Sequence, residues 1–322
     1  MKIVVLTVGD KDAGSTRFRI TQYIPFLEEQ GHTVTLIHQE GIDSSILGVI
    51  ADADIVINQK CLINMSLARK IRAHSKRLIF DFDDAVYTRH GKPYSFITQW
   101  RVNKRIRFWL SNSDTVVTAN LYLKNYANHY SDKACVIPMA IDFDTWKPLE
   151  HNDGDGIVIG WAGAPNNLYH LKRLENILAT ILKRHPRVSF NVFSGKKPDL
   201  AVPFSYTPFV PGTEHLFTQK LDIGLLPLSE DAFSKGKSPI KAIQYLACGV
   251  PVVGNVFGAT HEILNEENSF AVESDEEWVS ALEALIQQRS LAKKMGECGR
   301  RHVLGINDIK TTRQQLLKLL SE

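Results

Sequence analysis

The sequence predicts an α/β fold made of two parallel-sheet domains, and three observations carry that prediction. Short β-branched runs alternate with longer amphipathic stretches, the mark of β-α-β units. The alternation lapses once, in the turn-rich Pro148–Gly156 (PLEHNDGDG), and then restarts. The chain has 322 residues, the length of about two ordinary domains. The expected division is an N-terminal domain over 1–147, a linker over 148–156, a C-terminal domain over 157–305, and a final helix over 306–322 that crosses back to the first domain.

In the first half, Lys2–Thr7 reads as a strand, followed by a polar loop and a helix over Arg17–Gln30. Gly31 sits where a helix-ending glycine is preferred. Strands follow at Thr33–His38, Asp54–Asn58, Arg77–Phe82, Thr115–Thr118 and Ala134–Pro138, with helices over Ser66–Ser75 and Tyr94–Leu110. The second half gives strands at Ile157–Trp161, Val188–Phe193, Leu221–Pro227 and Val250–Gly254. Its helices are Leu168–Arg184, Lys241–Ala247, Glu276–Gln288, Ser290–Gly299 and Asp308–Leu320. Open parallel sheets bind ligands at the carboxyl ends of their strands, so two such domains would aim their loops into a shared cleft.

Composition excludes several classes. With 44% hydrophobic and 23% charged residues, the chain can bury real cores and is no disordered tail or small disulfide scaffold. A net charge of +3, from 38 Lys and Arg against 35 Asp and Glu, argues against a dedicated nucleic-acid binder. Cys61, Cys135, Cys248 and Cys298 are scattered without zinc spacing, which suggests neither a metal site nor a disulfide framework. The amino-terminal apolar run stops at Gly9-Asp10, too short for a signal segment, and no stretch approaches a bilayer span. The expected location is cytoplasmic.

Three segments carry candidate chemistry. The segment Gly9–Arg19 follows a strand and opens a helix, where unpaired N–H groups favour an anion. There Gly14 would admit a ligand close to the backbone, Ser15 or Thr16 would cap the helix, and Arg17 and Arg19 would add positive charge. The run Phe80–Ala85 places Asp81, Asp83 and Asp84 at the end of a strand. Divalent-metal chelation is one reading, a helix cap another, and the wall of a polar cleft is favoured because no second ligand group stands nearby. The strongest segment is Glu230–Val253, where Lys235, Lys237 and Lys241 gather around a Gly-Lys-Ser-Pro turn that opens a helix. Pro239 suits the first helical position, Gly249 the end, and Gln244 lies one turn after Lys241 on the same face. Lysines beside a helix start suit a diphosphate, although a surface helix with solvated lysines has the same composition.

This last segment resembles the donor-binding stretch of retaining GT-B glycosyltransferases of family 4, the glycosyl transferases group 1. The resemblance rests on Lys237, Pro239, Lys241, Gln244, Tyr245 and Gly249–Val253. Arg17–Arg19 through Gly31–Val34, Phe80–Asp84, Val136–Asp142, Gly160–Gly163 and Gly258–Glu262 resemble other family segments in the same order, covering nearly the whole chain. The resemblance implies two Rossmann-like domains and transfer of a sugar, with retention, from a nucleotide diphosphate sugar to a glycan, lipid-linked or other hydroxyl acceptor. It implies no metal and no cofactor beyond the sugar nucleotide as substrate. Lys237, Lys241, Asp83 and Asp84 would form the catalytic set. Gly14, Ser15, Arg17, Lys237, Ser238, Lys241, Gln244 and Glu262 would bind the donor.

Three positions depart from the family pattern. Gln244 stands where the family has a glutamate that grips the ribose, Met139 replaces an asparagine, and Ala162–Asn167 offers no basic pair. Gln244 and the missing basic pair motivate one alternative, a GT-B-like partner subunit with weak or no turnover; a GT-B sugar-nucleotide epimerase is another. Lys104–Trp109 with Arg101 forms a basic-aromatic helix that would suit peripheral contact with the inner face of a membrane. Packing Ile106, Phe108 and Trp109 inward is the plainer reading.

Overall fold

Twelve strands form two six-stranded, wholly parallel sheets in the computed structural model, which describes residues 1–149 and 156–322. The expected linker therefore lies largely outside the described residues. In chain order the first sheet and its helices are β1 (Lys2–Thr7), α1 (Gly14–Arg19), α2 (Ile24–Glu29), β2 (Thr33–His38), α3 (Leu47–Asp52), β3 (Ile55–Gln59), α4 (Met65–His74), β4 (Leu78–Phe82), α5 (Phe96–Asn112), β5 (Thr115–Thr118), α6 (Leu121–Ala127) and β6 (Ala134–Val136). The second set is β7 (Ile157–Ala162), α7 (Leu168–Arg173), α8 (Glu175–Arg184), β8 (Val188–Ser194), β9 (Ser205–Pro208), α9 (Glu214–Thr218), β10 (Ile223–Leu226), α10 (Ala232–Gly236), α11 (Ile240–Ala247), β11 (Val252–Gly254), β12 (Ser269–Ala271), α12 (Asp275–Gln287), α13 (Arg289–Asn307) and α14 (Ile309–Ser321).

Two units result, and neither is one continuous stretch of chain. The first comprises Met1–Ala140, Asp231–Ser238 and Ile309–Glu322; the second comprises Ile141–Glu230 and Pro239–Asp308. Residues 141–147, assigned to the first domain by composition, pack in the second unit. Ile141 bridges to Asp308, Arg300 donates to the carbonyl of Trp146, and Gln219 donates to that of Lys147.

Within the first unit the strand order is β2-β1-β3-β4-β5-β6, which changes direction between β1 and β3. Central strands β3 and β4 are buried along their whole length, as two-sided parallel strands must be. One sheet face packs Phe80, Phe82 and Trp109 as a stack, with ring centroids 5.4 and 6.0 Å apart. The other face packs Ile3, Val5, Ile57 and Ile79 against Tyr23, Leu319 and Leu320. Helix α14 is tied in by Arg77, which donates to the carbonyls of Leu319 and Leu320 at 2.6 and 2.8 Å. The Tyr23 hydroxyl donates to Thr312 Oγ1 at 2.9 Å on the same side.

The helix expected over Arg17–Gln30 is three pieces, α1, a 3₁₀ turn at Thr21–Tyr23, and α2. Pro25 lacks the N–H that a continuous helix would need there, and Ile20 leaves helical geometry at φ −126°. The expected Leu168–Arg184 helix likewise divides at Leu174, which bonds back only three residues, to Leu171.

In the second unit the strand order is β12-β11-β10-β7-β8-β9, the doubly wound arrangement with its change of direction between β7 and β10. Helix α11 lies on this sheet through the buried Tyr245, whose ring occupies the space above Gly224. Its hydroxyl accepts the Ala162 N–H at 2.8 Å, at the end of β7. Helix α13 crosses the end of α11 so closely that a Cβ at Gly296 would stand 1.8 Å from the Gly249 carbonyl oxygen. Gly249 itself has φ +73°, the left-handed geometry that closes a helix.

Candidate functional site

Each unit gathers polar side chains at the carboxyl edge of its sheet, beside the strand pair where the order reverses. In the first unit the centre is Lys60, directly after β3. Its backbone adopts φ +48°, unusual for a residue with a Cβ, and its N–H donates to the Asp81 carbonyl at 2.7 Å. That turn directs the ammonium between two carboxylates, with Nζ 2.7 Å from Asp83 Oδ1 and 2.6 Å from Asp84 Oδ2. Burial disfavours the ammonium, but Asp83 and Asp84 outweigh it and raise Lys60 above the ordinary lysine value. Burial also opposes the charge on Asp83; Lys60, Arg19 and Ser15 overcome it and hold that carboxyl below the ordinary range.

Asp81 and Asp83 thus answer to different cations. Arg19 turns inward from α1, with Nε 2.7 Å from Asp81 Oδ1 and a further bond to the Ile137 carbonyl, so it adds no charge to an exposed loop. Ser15 does not cap α1. Its Oγ donates to Asp83 Oδ2 at 2.9 Å and accepts from Gln59 at 3.0 Å, while Ala13, which has no side-chain acceptor, stands at the cap position. Thr16 Oγ1 donates back to the Gly9 carbonyl at 3.1 Å. Arg17 lies over the ring of Phe18 at 4.8 Å. A Cβ on Gly14 would meet no atom within 4 Å, so the start of α1 is open to an approaching group.

The segment Asp231–Ser238 completes this cluster. Asp231 caps α10 by accepting the Ser234 N–H at 2.7 Å, and its other oxygen lies 2.5 Å from His90 Nδ1. Asn120 donates to the Gly236 carbonyl at 3.3 Å, and Ser238 N–H donates to that of Asp83 at 3.3 Å. Gly236 nests against Ala85, Tyr122 and Leu123, where a Cβ would come within 2.9 to 3.3 Å of each. Lys237 is carried in with it. Burial lowers its pKa and Lys60 adds to that, against the pull of Asp84 and Asp231. A cation kept partly desolvated beside two acids already engaged elsewhere, Asp84 by Lys60 and Asp231 by His90, is suited to receive an anion.

In the second unit, Lys241 and Gln244 lie one turn apart on α11, and Lys241 Nζ donates to Gln244 Oε1 at 2.9 Å. Gln244 is buried, and its Nε2 has no hydrogen-bond partner among the described residues. Buried amide donors are nearly always satisfied, so this one marks a place for an acceptor. Pro239 precedes α11 at the cap position instead of opening it. Glu262 ends a 3₁₀ turn, Gly258–Glu262, where its carbonyl meets His302 Nε2 at 3.2 Å.

The sequence-predicted residues are therefore sorted into two groups. Ser15, Asp83, Asp84, Lys237 and Ser238 meet in the first unit, with Gly14 and Arg17 on the adjoining α1. Lys241, Gln244 and Glu262 belong to the second. Lys60 was missed, because a lone lysine after an apolar strand carries no motif. Arg173 was missed as well: from the end of α7 it donates to Ser229 Oγ at 2.8 Å, in the loop after β10 where the sheet order reverses. It supplies a guanidinium that Ala162–Asn167 lacks. His170 adjoins it, with Nδ1 3.4 Å from the same Ser229 oxygen. Among the described residues, no group of three or more His, Cys, Asp or Glu is placed to hold a metal ion.

Comparison with known proteins agrees with this architecture. Residues 172–318 match the family described as "Glycosyl transferase-like", a little under half of the chain. A search of curated protein sequences finds no match. Among solved structures, sucrose-phosphate synthase from Thermosynechococcus elongatus is similar at 13% identity, covering 99% of this chain and 98% of that one, with a TM-score of 0.78. A glycosyltransferase from Rickettsia africae is similar at 14% identity, covering 99% and 97%, with a TM-score of 0.74. Anabaena HepE in complex with UDP and glucose is similar at 13% identity, covering 100% and 99%, with a TM-score of 0.71. The chain has the GT-B fold, and its residues 172–318 resemble the glycosyl transferase-like family.

Proposed function

We propose that this protein is a glycosyltransferase that moves a sugar, with retention and without a metal, from a nucleotide diphosphate sugar to a hydroxyl acceptor. The observation that carries the reading is the Lys241–Gln244 pair, in which a buried amide nitrogen lacks an acceptor beside a lysine on the donor-type helix. A ribose hydroxyl would accept from Gln244 Nε2, and Lys241 would face the diphosphate. Lys237, Ser238, the open start of α1 at Gly14, and Arg17 complete the proposed donor set, with Glu262 toward the sugar. UDP is the first nucleotide to test, because HepE was solved with it.

Independence from a metal is supported by the acidic run itself. Asp81 lies at ion-pair distance from Arg19, and Asp83 and Asp84 share Lys60, so each of the three carboxylates is already engaged by a fixed cation. In the proposed reaction the sugar C1–oxygen bond breaks with its electron pair on the diphosphate. The acceptor oxygen bonds C1, and its proton passes to the departing phosphate oxygen, the strongest base the step creates. Preorganised lysines stabilise that developing charge, the largest contribution a protein makes to such a step. Asp83 and Asp84 act by positioning Lys60 and Ser15, which narrows the catalytic role first expected of them.

A thermal-shift screen against UDP-, GDP-, dTDP- and ADP-sugars tests the reading. A true donor at about a hundredfold excess over its Kd stabilises the folded protein by about 2.7 kcal/mol. The Lys237→Ala/Lys241→Ala protein should lose that shift; retention of the full shift would overturn the phosphate assignment. Product analysis with donor alone and with added acceptor separates transfer from epimerisation, and binding without turnover would point to a partner subunit.

A further inference from the structure

Helix α5 opens with three large apolar side chains in solvent. Phe96 is 88%, Ile97 62% and Trp100 57% exposed, while Ile106, Trp109 and Leu110 further along are buried. Within Lys104–Trp109 the apolar Ile106 and Trp109 pack inward while Lys104 and Arg107 stay exposed, and the exposed apolar tip lies two turns earlier. Single exposed hydrophobes are ordinary, but three within the first two turns form a contiguous patch. Phe96, Trp100 and Lys104 follow one another at helical spacing, with Ile97 and Arg101 as a neighbouring row. Lys104 Nζ lies over the Trp100 ring at 5.1 Å.

The charge around this patch has one sign. From Ala85 to Ser113 the chain has six Lys or Arg and no Asp or Glu, against a net +3 for all 322 residues. Arg89, Lys92, Arg101, Lys104 and Arg107 are exposed, and Arg89 stacks over Tyr94 at 5.4 Å in the loop leading into the helix. Asp231, an acid that reaches this loop, is engaged by His90 and by the Gly91 N–H.

We propose that this surface docks on a bilayer bearing anionic lipid headgroups, with Phe96, Ile97 and Trp100 inserted at the interface and the flanking cations over the phosphates. Apolar tips with Lys and Arg behind them bind through both terms together. Ile97 argues for lipid over nucleic acid, since an aliphatic side chain gives a base no face to stack on, whereas hydrocarbon accepts it as readily as Phe. No helix among the described residues is long and apolar enough to cross a membrane, so the contact is peripheral. It does not depend on the proposed transferase activity.

The test is co-sedimentation of the full chain with phosphatidylcholine vesicles, with and without phosphatidylglycerol, at low and high salt. Binding should require phosphatidylglycerol and fall steeply with salt. Phe96→Ser/Ile97→Ser/Trp100→Ser should weaken it at least about tenfold, and Arg101→Gln/Lys104→Gln by about fivefold per charge removed. An unchanged thermal midpoint certifies the variants. As an independent readout, the wild-type tryptophan emission should shift to the blue on vesicles, and the shift should be lost in Trp100→Phe while binding is kept. No binding to anionic vesicles at low salt overturns the proposal. So does full binding by the triple variant, or an oligonucleotide or self-association that proves tighter than vesicles and is lost on the same substitutions.

Discussion

Lys60 Nζ lies between two carboxylates, 2.7 Å from Asp83 and 2.6 Å from Asp84, and a left-handed backbone at Lys60 aims it there. Removing one member of a buried ion pair leaves the other charge uncompensated. Lys60→Met should therefore destabilise the protein by about 3 to 5 kcal/mol, read by urea denaturation. A loss below about 1 kcal/mol would show that the pair is solvated in practice.

The same pair sets a pH dependence. Asp83 has a folded pKa below its unfolded value, so its contribution is present above the unfolded carboxylate pKa and is lost as pH falls through the lower, folded one. Lys60 has a raised folded pKa, so its contribution is present below the unfolded lysine value and disappears only as pH rises through the higher, folded one. Stability from this pair should be flat across neutral pH and fall in acid below about 4. A thermal midpoint still constant at the acid end, or one equally acid-sensitive in Asp83→Asn, would refute this.

Lys237 should behave in the opposite way to Lys60. Its ammonium is held below its ordinary pKa, chiefly by burial, so the charge is not what stabilises the free protein. Lys237→Met should leave stability within about 1 kcal/mol of wild type while removing the donor-induced thermal shift. Parallel losses of both would make Lys237 a structural residue.

At Gln244, alanine removes the unpartnered Nε2 donor and the acceptor for Lys241. Gln244→Ala should weaken donor binding about three- to tenfold by titration calorimetry. Gln244→Glu keeps the acceptor for Lys241 and replaces the Nε2 donor with a second acceptor, to which a ribose hydroxyl would donate instead, and should bind the donor at least as well as wild type. Equal affinities for all three would place the ribose elsewhere.

Gly296 tests the packing of α13 against the end of α11. Its missing Cβ is where the Gly249 carbonyl passes, and backbone cannot move aside as a side chain would. Gly296→Ala should cost about 1 to 3 kcal/mol in denaturant unfolding, despite alanine's better helix propensity. Unchanged stability would mean that α13 is free to shift off α11.

Sheet strands were legible because β-branched runs such as Ile157–Ala162 announce a buried parallel strand by composition alone. The polar edge strand Ser205–Pro208 and the five-residue helix Ala232–Gly236 were not, since neither is long or apolar enough to show a period. Asp83, Lys237 and Lys241 could be picked out from local pattern. Their partners could not, because the pairs form across distant segments: Lys60 with Asp83, Asp231 with His90, Arg173 with Ser229. Arg19 shows the converse error, a cation assigned to an exposed loop that a buried Asp81 draws inside.

The return of Asp231–Ser238 and Ile309–Glu322 to the first unit fixes an order of events during synthesis. Sequences usually finish folding in the order in which they emerge from the ribosome. Here the second unit has all its residues once Asp308 is out, whereas the first, begun at Met1, still waits for Leu319 and Leu320 to fill its core and accept from Arg77. The half that is made first is the half that is finished last, and an expression fragment ending near residue 140 would leave one face of its sheet uncovered.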